Sequence, residues 1–192
     1  MRGFDFLIVL FSVLLGLSLS RLLVGLARVV VDPERRIHWL PLLWTIQLFA
    51  FQITLWWLIY QRADQPTWTF VHYLVLIGYP VLLYFQGVLL YPELGPHDEG
   101  TLESFLSRRK WFFAILFLIL HLDFTENWLA GDWTFDPLRF VIALLVSGAV
   151  CGIAIWTRNR IYHAVLMAVM LLNLAMAVIQ LLPTIGGGGV SG

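Results

Sequence analysis

The sequence predicts an all-α integral membrane protein: six transmembrane helices in a compact bundle, with both termini on the non-cytoplasmic side. Three observations lead there. The 192-residue chain is 60% hydrophobic and 12% charged, with a mean hydropathy of +0.83, a composition that water cannot solvate as a folded surface. Apolar stretches recur along it, each near the roughly 20 residues a helix needs to cross about 30 Å of hydrocarbon. The connectors between them are short and rich in turn formers: DPERR, QRADQP, YPELGPHDEGTLES, GDWTFDP and TRNR. A single six-helix transmembrane domain, residues 1–183, therefore takes nearly the whole chain, and TIGGGGVSG makes 184–192 a flexible Gly-rich tail.

The first helix is expected from Phe4 to Val30. Its small residues Ser18 and Ser20 imitate a signal-peptide cleavage site, but the apolar pattern resumes past Arg21 as LLVGLA, so it reads as an uncleaved span. The second is expected from Trp39 to Tyr60. The third, Trp68 to Tyr91, contains Pro80, which implies a kink and a freed carbonyl near mid-membrane. The fourth is expected from Lys110 to Leu129. Before it, TLESFLSRR has the pattern of a short separate amphipathic helix, capped by Thr101 and with Leu102, Phe105 and Leu106 on one face. The fifth runs from Pro137 to Trp156 and the sixth from Ile161 to Leu182.

Orientation follows from the basic residues. Arg28, Arg35, Arg36, Arg108, Arg109, Lys110, Arg158 and Arg160 flank the connectors after helices one, three and five, whereas Arg2, Arg62 and Arg139 flank the other side. The positive-inside bias makes the first set cytoplasmic. Most of the nine tryptophans fall at expected helix ends, as in an interfacial belt, with Trp44 deeper.

Several function classes are excluded or left without support. Twelve basic and twelve acidic residues cancel, so no basic surface exists to recruit nucleic acid. The lone Cys151 precludes a disulfide or cysteine zinc site within one chain and reads as packing filler. HExxH, GxSxG and a glycine-rich phosphate loop are all absent, and no catalytic residue or metal site is assigned. Axial haem ligation by His72 and His121 is disfavoured by their offset in depth, so no cofactor is expected; His38 and His163 follow basic connectors and are expected at the interface.

The polar residues that remain fall into two groups. HLDFTENW, residues 121–128, closes an otherwise apolar run. At about 100° per residue Asp123, Glu126 and Asn127 share one face, while His121 points away. A charge at membrane depth costs at least about 2.5 to 3.5 kcal/mol, so this face should meet protein or a water-filled vestibule. Asp5, Arg62, His72, Arg139 and Gln180 are available at the same end. Arg139 is the expected counter-ion, because a short turn joins its helix to the fourth; Asp5 and His72 are assigned to the same outer vestibule or ion site. The second group is an inner polar cluster of Arg21, Gln47 and Gln86, at matching depth on helices one, two and three.

Gly16, Ser20 and Gly25, and Ser147, Gly148 and Gly152, are expected to let helices approach closely. Together these features suggest a homo-oligomeric ion or small-solute channel or transporter in a cell membrane, the bacterial inner membrane being the expected one. The alternative is a non-catalytic accessory subunit of a larger membrane complex. A membrane haem or metal redox protein ranks third. The expected partners are the lipid bilayer, further copies of the chain and, on the alternative reading, that complex.

Overall fold

The computed structural model describes residues 3–31, 38–63, 68–92, 102–129 and 137–186, and all its elements are helices: α1 (Gly3–Val31), α2 (Trp39–Gln61), α3 (Phe70–Leu90), α4 (Leu102–Leu129), α5 (Pro137–Trp156) and α6 (Arg160–Gly186). Four of them are long and apolar enough to cross a membrane: Phe4–Val31, Trp39–Gln61, Phe70–Leu90 and Arg160–Leu181. The chain is thus a polytopic membrane protein by the length and composition of its helices. The apolar stretch of α5, Phe140–Trp156, is shorter, and α4 carries charges at both ends.

Local chemistry fixes several helix ends. Thr69 caps α3 by accepting from the His72 amide, and His38 caps α2 through Nδ1, which accepts from Leu40 at 3.3 Å. Two boundaries differ from expectation. The segment read as a separate amphipathic helix is continuous with α4, because Leu102 and Phe105 are buried and the Phe105 ring meets Phe112 edge-on at 5.3 Å. One rigid rod keeps that contact without breaking backbone hydrogen bonds. At the other end α6 continues to Gly186, into the stretch read as a flexible tail; 187–192 lie outside the described residues.

The bundle is uneven. α1 packs most extensively on α3, α3 also on α4, and α2 touches α1, α3, α4 and α6. These contacts define a core of α1 to α4, with α5 leaning on α4 and α6 on α2. Glycine decides how tightly the core closes. A Cβ on Gly25 would stand 2.4 Å from the Tyr91 ring, and one on Gly78 would meet Leu122 at 3.0 Å. By contrast, Gly16 and Gly152 have nothing within 4 Å, so only part of the small-residue pattern serves helix packing.

The end of the bundle bearing Arg109 is filled with rings. Trp44, 1% exposed, meets Phe112 and Phe113 edge-on at 4.9 and 5.7 Å, and His163 stacks on Phe113 at 5.3 Å. His163 is fully buried, its ring packed against Phe105 and Phe113 of α4. Trp39 and Trp156 are exposed at the helix ends, where a belt places them, while Trp111 is exposed within α4.

Candidate functional site

At the opposite end, α2, α3, α4 and α6 enclose a cleft of about 290 Å³. Its polar lining is Arg62, Tyr79, Asp123, Glu126 and Gln180; the rest is aliphatic, including Leu55, Leu58, Ile59 and Leu76. Each polar group arrives by a simple route. Arg62 is the C-cap of α2, its amide bonded to Ile59 O at 3.1 Å, so its side chain leaves the helix just where the cleft opens. Asp123 and Glu126, three apart on α4, share a face about one turn deep. Tyr79 follows Gly78, whose missing side chain lets α3 and α4 close onto Leu122.

The charges converge. Arg62 forms an ion pair with Glu126, which is 7% exposed. The same guanidinium acts on Asp123, and the Tyr79 hydroxyl donates to the Asp123 carboxylate. Asp123 is closely surrounded by protein yet keeps an exposed face, as a residue in a cleft wall does. Among the described residues, one guanidinium thus faces two carboxyl groups in the cleft.

The acidic face expected on α4 therefore lies against α2 and α3. Among the described residues it meets Arg62; the side chains of Asn127 and Arg139 lie outside the described residues. His121 is separate, as its helical angle requires. Its ring lies over Phe117 with centroids 3.9 Å apart, and Nδ1 bonds Phe117 O at 2.6 Å. Two other residues expected here sit elsewhere. Asp5 lines a shallow groove between α1 and α2 with Phe4, Trp56 and Ala63. His72 is buried one turn beyond Leu76, its Nδ1 within 2.7 Å of the Thr69 hydroxyl and its ring edge-on to Trp68 at 6.0 Å. Tyr79 carries no sequence label as a site residue. A tyrosine within an apolar span, whose hydroxyl must find a partner, is the signal that could have found it.

The other predicted cluster is spread over three seams. Arg21, 9% exposed, donates from Nη2 to Tyr91 O at 2.5 Å, at the C-terminal end of α3, where carbonyls lack intrahelical donors. The Thr45 hydroxyl donates to Pro41 O at 2.9 Å, so at 2.7 Å the Tyr91 hydroxyl is the donor to Thr45. The result is a latch across α1, α2 and α3. Gln47 donates to Met170 O on α6 at 3.3 Å and Gln86 to Phe112 O on α4 at 3.5 Å. Deeper in the core, Gln52 and Ser18 are fully buried, and neither polar side chain has a hydrogen-bond partner among the described residues.

Among the described residues no three of His, Cys, Asp or Glu gather in a metal-sized group. No protein-family model, curated protein or solved structure matches the chain.

Proposed function

We propose that this is a six-span protein of a cell membrane in which the Arg62 cleft is the outward-open binding site of a small-solute or ion transporter. The observation that carries the reading is the convergence of Arg62, Asp123 and Glu126 on one cleft. Ionisable side chains are costly in apolar helices, and those kept there line pathways more often than not. A span for α4 is supported by its 28 residues, about 42 Å of helix, and for α5 by its 20, about 30 Å. Basic residues at the Arg109 end favour a cytoplasmic position for it, so the cleft and both termini face outward. Ring packing around Trp44, Phe112 and Phe113 favours a carrier that alternates between states over an open pore. Uptake assays in proteoliposomes under gradients of protons, sodium, potassium, chloride and small organic ions test this. Flux that changes in Asp123→Asn or Glu126→Gln supports it, and no flux above protein-free vesicles in any of them removes it.

One observation favours assembly with further helices, in a homo-oligomer or as an accessory subunit of a larger complex. Only 11% of the apolar span of α6 is buried, and Asn173 lies exposed on it, about 20 Å from Arg160. Its Nδ2 bonds Val169 O at 3.0 Å, but an amide facing lipid gains more from a neighbouring helix. Native gels after gentle detergent extraction distinguish a symmetric oligomer from a mixed complex.

A further inference from the structure

Given that α6 is a span that assembles with further helices, as read above, we infer that its partner is a second copy of this chain. The two copies meet along the C-terminal half of α6, and their Asn173 carboxamides hydrogen-bond to each other across a two-fold axis along the membrane normal. Val169, Asn173, Met176 and Gln180 follow one another at spacings of four, three and four, the seam of a left-handed helix pair, with Leu172 and Ile179 flanking it. All six are exposed. One heptad before Asn173 the same row holds Leu166, which is buried, so this chain covers the row in the first half of α6 and leaves it uncovered in the second.

The carboxamide says what covers this row. Asn173 donates from Nδ2 to Val169 O, which leaves Oδ1 and the second amide hydrogen without a partner among the described residues. Lipid tails offer neither a donor nor an acceptor. A donor and an acceptor on one group make the carboxamide complementary to itself. Copies inserted in one membrane share an orientation, so a two-fold axis brings the two Asn173 side chains together at one depth and satisfies both. A helix of another protein would have to place a polar side chain at that depth; a second copy carries one by identity. Gln180 repeats the same chemistry one heptad further on. The competing face is the Gly148 and Gly152 pair of α5, but Gly148 already lies against α4, where a Cβ would meet the Phe117 ring at 3.5 Å.

Two measurements on the full chain in phosphatidylcholine vesicles test this. In a Cys151→Ala background, oxidation with copper phenanthroline should link Met176→Cys into a covalent dimer and leave Ile153→Cys, exposed on α5, as monomer. Energy transfer between donor- and acceptor-labelled copies, followed as lipid is added, reads the affinity. Asn173→Leu should weaken association about tenfold, and Asn173→Gln, which keeps the carboxamide, should retain most of it. The cross-link decides the face even if Asn173→Leu does not fold. Cross-linking through Ile153→Cys but not Met176→Cys, or an affinity unchanged in Asn173→Leu, would overturn the assignment while keeping self-association. A chain that stays monomeric at every lipid dilution removes self-association altogether and leaves assembly to a helix of another protein.

Discussion

Arg62 and Glu126 form an ion pair that ties the end of α2 to α4, 64 residues further along the chain. Glu126 is nearly buried and Arg62 about a quarter exposed, so removing one partner strands the other in a poorly solvated place. Glu126→Gln or Arg62→Gln should each lower unfolding stability in detergent by about 1–3 kcal/mol. The double variant Arg62→Met with Glu126→Leu should recover most of the loss. A double variant as unstable as the two single losses combined would show that the residues act independently.

Gly25 and Gly16 lie on the same helix but should respond in opposite directions. Gly25→Ala drives a methyl group into the Tyr91 ring, and overpacking of this kind costs about 1–3 kcal/mol or more. Gly16→Ala meets nothing within 4 Å and should be neutral, or stabilising by up to about 1 kcal/mol through helix propensity. Thermal unfolding of the two variants in one detergent provides the comparison.

Gln52 offers a case where a buried polar group is expected to cost stability. With neither amide atom partnered among the described residues and no surface exposed, its replacement by Leu restores apolar packing at nearly the same volume. Gln52→Leu should raise stability by about 1–3 kcal/mol. A drop of similar size would mean that the amide is satisfied by bound water or a ligand.

His38 makes the start of α2 sensitive to acid. Burial and then the nearby charge of Arg160 hold its imidazole below the ordinary value of 6.5, and the neutral Nδ1 is what accepts from Leu40. The unfolded chain takes up the proton more readily, so this contribution is complete above about 6.5 and is lost as pH falls below it towards the folded value. Melting temperatures between about pH 7 and 5 should fall less steeply in His38→Asn, which can still cap but cannot titrate. Parallel curves would rule out His38 as the source.

The helix count was legible because apolar runs separated by Pro, Gly and charge are a local property. The start of α4 was not. Whether TLESFLSRR turns away or continues depends on Phe105 finding Phe112, a contact that hydrophobic pattern alone does not specify. The split of HLDFTENW into an acidic face and an isolated histidine was also readable, since it needs only the helical angle. That Arg62 meets that face was not. Adjacency in sequence pointed to Arg139 on α5, whose side chain lies outside the described residues, while α2 also lies against α4 and brings Arg62.

By itself, then, the sequence determined the membrane-type apolar character of this protein, its all-helical class, the helix count and the acidic face of α4, all of which follow from composition and from spacing along one helix. Only the tertiary structure decided that Asp5 and His72 stand apart from the cleft, that Tyr79 joins it, and that Arg21, Gln47 and Gln86 each bond a different helix. The reason is physical. Hydropathy is nearly the same on all sides of these helices, so it says that they pack but not which faces meet. That choice was left to where Gly25 and Gly78 let neighbours close in and where a polar side chain could find its partner.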